Sequence, residues 1–140
     1  IQAQILDLIK ELRQKLGMAI VWITHDLGVI AGIADRVMVM YGGQVVEQAA
    51  VIDLFERPQH PYTRALLESI PVLGRGKDQE IKAIPGQTPD PYNRPKGCQF
   101  ADRCAYRIGA CDQMPDETQV APDHRVTCWR YEEFAADAAE

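Results

Sequence analysis

One histidine and four cysteines are the residues of this sequence whose positions suggest chemistry. His25 follows directly after an apolar run at residues 18–24. Runs of this length, rich in β-branched and aromatic residues, are typical of strands buried on both faces. Ligands of open parallel sheets bind beyond the carboxyl ends of such strands. His25 is therefore a candidate catalytic or phosphate-contacting residue.

The four cysteines, Cys98, Cys104, Cys111 and Cys128, all lie in the last third of the chain, with gaps of five, six and sixteen residues. The stretch that carries them lacks a strong apolar period, so a cross-link or a metal is expected to hold it in place. Disulfides are disfavoured because the sequence shows no secretory signal and its front half is typical of a cytosolic nucleotide-dependent fold. The gaps exceed the short knuckles of zinc sites, and a cubane iron–sulfur cluster has one iron per cysteine. The spacing favours a cluster over zinc, with unligated buried cysteines as a further alternative.

The elements before His25 are typical of one half of a βαβ unit. Apolar residues fall on one helical face between Ile1 and Leu16, and Gly17 is a C-terminal stop signal. The chain begins inside this helix without an initiating Met, and the strand that should precede the helix is absent. We therefore expect a fragment of a larger α/β protein.

Shorter elements are predicted after His25. Asp26 or one of its neighbours is expected to cap a short helix over residues 27–34. Gly42-Gly43 predicts a tight turn between strands at 36–41 and 44–47, because glycine adopts positive φ at no steric cost. A helix at 51–57 ends before Pro58, and another runs from Pro61 to residue 70, with His60 as its cap.

Composition changes sharply between residues 72 and 97, where Gly, Pro, Asp, Asn and Lys dominate and no period persists. We therefore divide the chain into four parts: residues 1–57, a helical extension and linker at 58–95, a cysteine module at 96–131, and an acidic tail at 132–140.

The charge of the sequence argues against nucleic acid as a partner, and its hydropathy argues against a membrane-spanning helix. The sequence has 15 basic and 20 acidic residues, so it lacks the electrostatic footprint of a nucleic-acid-binding protein. It has no apolar stretch of eighteen or more residues, the length expected of a membrane-spanning helix.

Two sets of motifs carry a resemblance to a known family. Thr-His-Asp-Leu-Gly-Val-Ile at 24–30, Asp-Arg-Val at 35–37 and Met-Tyr-Gly-Gly at 40–43 resemble the switch-histidine region of ABC-transporter ATPase subunits. His-Pro-Tyr-Thr-Arg-Ala-Leu-Leu at 60–67, Ile-Pro-Gly at 84–86 and Pro-Lys-Gly-Cys-Gln-Phe at 95–100 resemble the carboxy-terminal extension of the oligopeptide/dipeptide (peptide/nickel) importer branch. The resemblance covers nearly the whole chain.

The resemblance implies a fold, an activity and cofactors. The fold is α/β, the C-terminal fragment of a P-loop ATPase domain followed by a small loop-rich module in which Cys98, Cys104, Cys111 and Cys128 bind a [4Fe-4S] cluster, with zinc as the alternative. His25 would contact the γ-phosphate of ATP. No G-x-x-x-x-G-K-[ST] motif is present, so the resemblance implies ATP and Mg²⁺ binding and ATP hydrolysis in the intact subunit only.

The resemblance also implies partners and a location. These are a second ATP-binding subunit, transmembrane permease subunits and, indirectly, a peptide-binding protein, at the cytoplasmic face of the inner membrane. The transported substrate stays open between dipeptides, oligopeptides and nickel. An alternative function is a non-enzymatic iron–sulfur or zinc module that docks or regulates.

Overall fold

The computed structural model describes residues 2–70 and 83–137. Its helices and strands are α1 (Gln2–Leu16), α2 (Leu27–Ile33), β1 (Arg36–Tyr41), β2 (Gln44–Ala50), α3 (Val51–Glu56), α4 (Pro61–Glu68), β3 (Thr118–Ala121), β4 (His124–Val126) and α5 (Tyr131–Asp137). Two short 3₁₀ turns, Ala101–Arg103 and Gly109–Asp112, lie between α4 and β3. The chain divides into two compact units at the junction between Asp35 and Arg36.

The first unit consists of two helices and an irregular segment between them. Gly17 adopts φ +63° directly after α1, and Asp26 caps α2, so both helix boundaries agree with the predictions from the sequence. The strand predicted at residues 18–24 is wrong, because these residues form neither a helix nor a strand. A strand requires a hydrogen-bonded neighbour, and the part of the chain that the structure describes contributes none to this segment.

The β1–β2 hairpin confirms the turn predicted at Gly42-Gly43. Both glycines have positive φ, +56° and +79°, as a tight two-residue turn requires. The second strand is longer than predicted and continues to Ala50. Along β1, buried and exposed residues alternate strictly, with Val37, Val39 and Tyr41 facing the core.

The hairpin belongs to a four-stranded antiparallel sheet in the second unit, with the order β1-β2-β4-β3. Strand β4 pairs with β2, so the region that carries the cysteines continues the hairpin sheet. The core of this unit contains residues from the sheet, from α3, from the cysteine region and from α5; its members include Val39, Ala49, Leu54, Phe100, Val126 and Phe134.

Helices α3 and α4 follow the predicted boundaries closely. The backbone N–H of Tyr62 donates to Nδ1 of His60 over 3.0 Å, which confirms His60 as the cap of α4, with Pro61 in the first turn. The predicted linker lies partly outside the described residues, and residues 83–97 contain no helix or strand. Part of the predicted acidic tail forms α5, where Phe134 is buried against Tyr106 with ring centroids 5.0 Å apart.

Candidate functional site

His25 lies in a short loop whose backbone is fixed on both sides. The N–H of Asp26 donates to Oγ1 of Thr24 over 3.0 Å. The Asp26 carboxylate in turn accepts from the N–H groups of Gly28 and Val29, over 2.9 Å and 3.2 Å, at the start of α2. These bonds define the backbone around His25, whose own side chain is exposed. An exposed imidazole on a fixed loop is available to an external ligand.

The four cysteines come together in the second unit. Cys98, Cys104, Cys111 and Cys128 all line one small cavity, together with aromatic and basic residues that include Phe100, Tyr106 and Trp129. The cavity volume is about 10 Å³. The convergence expected from the sequence is therefore present, although sixteen residues separate the last two cysteines.

Burial determines the protonation of these thiols. It raises the pKa of Cys98 and of Cys104, and it raises the pKa of Cys128 to about 12. The neighbouring thiols act in the same direction, because a second thiolate in the same cavity would repel the first. Near neutral pH these three groups are therefore held as thiols.

The [4Fe-4S] cofactor and its zinc alternative, expected from the sequence, are wrong. Among residues 2–70 and 83–137, no set of three or more histidine, cysteine or acidic side chains is arranged to hold a metal ion. The alternative function, a non-enzymatic iron–sulfur or zinc module, is unsupported for the same reason.

A buried carboxylate that the sequence analysis missed connects three elements of this unit. Glu47 is 1% exposed and lies on the core face of β2, where its register partners are Val39 and Val126. It accepts the N–H of Gln59 over 2.6 Å, the N–H of His60 over 3.1 Å, and a hydrogen bond from Nε2 of His124 over 2.8 Å. Strand β2, the loop before α4 and strand β4 are thereby tied together through one side chain.

Arg103 makes a second long-range connection in the same unit. Its Nε donates to the carbonyl of Pro85 over 2.8 Å and its Nη2 to the carbonyl of Ile84 over 2.9 Å. Its Nη1 donates to the hydroxyl of Tyr41 over 3.2 Å. Tyr41 also packs edge-on against Phe100, with ring centroids 5.1 Å apart. These contacts hold residues 84–85 and the cysteine region against the hairpin.

His60 borders the cysteine cavity as a neutral imidazole. Burial lowers its pKa to about 4, against the smaller opposite effect of the Glu47 carboxylate. Because Nδ1 accepts the N–H of Tyr62, the neutral ring carries its hydrogen on Nε2. Protonation of His60 therefore removes the acceptor that caps α4 and places a charge in the core.

This arrangement predicts acid sensitivity of the second unit. An unfolded histidine has a pKa of about 6.5, so between about pH 6.5 and pH 4 the unfolded state binds a proton that the folded state does not. Lowering the pH through this window favours unfolding, and the stability is complete above it. When the pH is lowered from 7 to 4, we expect the protonation of His60 alone to reduce the free energy of unfolding by about 3 kcal/mol. Urea titrations monitored by Trp129 fluorescence, in a Trp22→Phe background, measure this.

His60→Asn is the matched control for this pH dependence. Asparagine caps a helix well but does not titrate, so the variant should lose less stability than the wild type over the same pH range. If the free energy of unfolding of the two proteins depends on pH to the same extent, the interpretation of His60 as a buried neutral residue is contradicted.

No helix within the described ranges combines the length and the apolar character needed to cross a membrane.

Comparisons with known proteins cover both units. Residues 46–111 match the family model described as the oligopeptide/dipeptide transporter C-terminal region. The chain is 50% identical over 134 residues to a probable peptide ABC transporter ATP-binding protein, y4tR, of Sinorhizobium fredii, covering 95% of this chain and 40% of the relative. It is 49% identical over 138 residues to the oligopeptide transport ATP-binding protein AppD of Bacillus subtilis, covering 98% of this chain and 42% of AppD.

A third relative extends the same pattern. The dipeptide transport ATP-binding protein DppD of Bacillus subtilis is 45% identical over 139 residues, covering 99% of this chain and 41% of DppD. The chain thus spans about two fifths of the length of these relatives. The resemblance seen in the sequence is confirmed: the chain belongs to the oligopeptide/dipeptide transporter family and corresponds to the C-terminal part of its ABC ATP-binding subunits.

Proposed function

We propose that this chain is the C-terminal part of the motor subunit of an ABC importer for peptides, in which ATP hydrolysis drives uptake. The observation that carries the proposal is the continuous similarity, 45–50% identity across 95–99% of the chain, to proteins named for peptide, oligopeptide and dipeptide transport. Because each of these relatives is much longer than this chain, the remaining parts of the ATP site belong to the longer protein.

His25 is the residue of this chain that we assign to the ATP site. An imidazole donates to a phosphate oxygen with one nitrogen and accepts from water with the other, without a large change of charge near neutral pH. Two features support the assignment: the ring is exposed, and its backbone is fixed by the bonds of Thr24 and Asp26. In the longer protein His25 would contact the terminal phosphate and orient the attacking water.

The first unit exposes apolar side chains that a larger ATPase domain would cover. Along α1 these are Ile5, Leu8, Leu12 and Leu16, which are 41–64% exposed. Val21 and Ile23, just before His25, are 89% and 94% exposed. Isolated apolar residues on a surface are ordinary, but a continuous set favours burial against a partner. The exposure fits a unit that completes its core with other residues of the subunit.

The partners follow from the same proposal. The subunit would pair with a second ATP-binding subunit and with transmembrane permease subunits at the cytoplasmic face of the cell membrane. A peptide-binding protein would act on the permease and reach the ATPase only indirectly. The substrate class we assign is peptides, from dipeptides to longer oligopeptides.

The proposal is tested with the full-length protein that carries this sequence. The protein is purified together with its transmembrane permease subunits, placed in liposomes, and assayed for ATP hydrolysis with and without peptide and peptide-binding protein. We expect hydrolysis that peptide stimulates. The proposal would be contradicted by a complex that hydrolyses no ATP, or by one whose rate of ATP hydrolysis is unchanged by every peptide tested.

A further inference from the structure

The hydroxyl of Thr24 closes a hydrogen-bonded ring around His25. Its Oγ1 accepts the N–H of Asp26 over 3.0 Å, so the bond spans the one residue that lies between them. A Ser or Thr hydroxyl that is bonded to the backbone two residues further on takes the place of a backbone turn. The bond therefore restricts the backbone on both sides of His25, and with it the direction in which the His25 side chain leaves the chain.

Thr24 differs from its neighbours in burial. Ile23, His25 and Asp26 are exposed, whereas Thr24 is partly buried. A β-branched side chain has few χ1 rotamers, so Thr24 loses little freedom when its hydroxyl accepts the N–H of Asp26. The loop around His25 thus has one pre-organised contact, and that contact lies directly before the histidine.

The other end of the ring is anchored in α2. The Asp26 carboxylate accepts the N–H groups of Gly28 and Val29, and the Asp26 carbonyl accepts the N–H of Ile30 over 3.3 Å. The N–H of a capping residue is itself left unpaired by the helix, and a Glu or Gln three residues further on often accepts it. Here Val29 occupies that position, and Thr24 is the acceptor instead.

Asp26 and Thr24 therefore have separable effects. Loss of the Asp26 carboxylate would leave two N–H groups at the start of α2 without their acceptor. Loss of the Thr24 hydroxyl leaves α2 capped and releases only the connection across His25. Thr24 can thus be changed without removing the helix that supports the loop.

We propose that Thr24 is a positioning residue for ATP hydrolysis, whose hydroxyl orients the backbone of His25 and which acts through the imidazole rather than on the nucleotide. The inference rests on the proposed function of His25. An imidazole assists hydrolysis only where its nitrogens reach the terminal phosphate and the attacking water, and a misplacement of about 1 Å can cost about a hundredfold in rate. Without the Thr24 bond the loop samples more conformations, and fewer of them are productive.

Thr24→Val should lower kcat about five- to tenfold and leave the KM for ATP unchanged. Valine keeps the branched shape but accepts no hydrogen bond, and one neutral hydrogen bond changes the balance between conformations by about this factor. The KM should stay constant because the hydroxyl makes no contact with the nucleotide. Thr24→Ser is the matched control: it keeps Oγ1's role as acceptor through its own hydroxyl and should hydrolyse ATP near the wild-type rate.

The test uses the full-length protein in liposomes with its permease subunits. Steady-state ATP hydrolysis is measured over a range of ATP concentrations, with the melting temperature in parallel, for the wild type, Thr24→Val, Thr24→Ser, His25→Ala and the double variant Thr24→Val/His25→Ala. We expect the double variant to be no slower than His25→Ala, because a residue that acts only through the imidazole has no effect once the imidazole is removed. The melting temperatures should be nearly equal.

Four results would overturn this inference alone, provided that the wild type hydrolyses ATP and His25→Ala does so much more slowly. These are a wild-type kcat for Thr24→Val, an effect of Thr24→Val confined to the KM for ATP, a Thr24→Ser variant as slow as Thr24→Val, and a further loss of activity when Thr24→Val is added to His25→Ala. A wild-type complex without ATPase activity would instead overturn the proposed function, and this inference with it.

Discussion

His25→Ala should lower ATP hydrolysis by the full-length transporter complex by about a hundredfold or more, with little change in stability. A positioned group that transfers or orients a proton contributes a factor of this size to catalysis. The side chain is exposed, and substitutions at exposed sites change the free energy of unfolding by about 0.5 kcal/mol or less. The steady-state ATPase rate, measured at saturating ATP with the melting temperature in parallel, checks both parts.

Gln14→Ala is the matched control, because Gln14 is an exposed residue of α1 in the same unit. It should hydrolyse ATP at the wild-type rate. A His25→Ala complex that retains full ATPase activity would remove His25 from the ATP site and leave the family assignment unchanged.

Glu47→Leu should cost about 3–5 kcal/mol of stability, because breaking a buried charged contact leaves its donors without partners. The N–H groups of Gln59 and His60 and Nε2 of His124 all donate to this carboxylate. Leucine fills similar volume but accepts none of these bonds, so three polar groups stay buried and unpaired. The free energy of unfolding is measured in urea by Trp129 fluorescence, again with Trp22→Phe as background.

Two further variants separate the carboxylate from its histidine partner. His124→Leu removes one donor and leaves Glu47 with two backbone N–H groups, so it should cost about 2 kcal/mol or less. Glu47→Gln keeps one acceptor oxygen, so its free energy of unfolding should lie between those of Glu47→Leu and His124→Leu. If Glu47→Leu is no less stable than His124→Leu, the carboxylate is not the common centre of these contacts.

The elements that were predicted well depend on neighbouring residues. Gly42-Gly43 needs positive φ, Asp26 and His60 accept N–H groups two or three residues further on, and Pro61 begins a helix. Each of these effects acts within a few residues, so it can be recognised in the sequence. The pairing of β2 with β4 brings Glu47 against Val126, far along the chain, and nothing local indicates it.

The failed strand at residues 18–24 has a related cause. Its composition favours a buried strand, but strand formation depends on partners that the described residues do not provide. Ile23 is 94% exposed as a result. An apolar pattern therefore indicates which environment a segment suits, whereas the hydrogen-bonded neighbours decide whether the strand forms.

The cysteines show how far spacing can be used. Four cysteines in a segment with little apolar surface predicted that they would meet, and they line one cavity. Their ligand could not be derived from spacing, because it depends on how the side chains are arranged in space. Among the residues that the structure describes, no three histidine, cysteine or acidic side chains are arranged to hold a metal ion, which overturns the metal cofactor that was expected.

The central claim, that this chain is part of the motor of a peptide importer, is tested most directly by peptide uptake in cells. The gene for the full-length protein is deleted, and the uptake of a radiolabelled dipeptide and a labelled pentapeptide is measured with and without a plasmid copy. We predict that deletion abolishes the uptake of at least one of the two, and that the wild-type copy restores it but an equally expressed His25→Ala copy does not. Unchanged uptake of both peptides in the deletion strain would contradict the account.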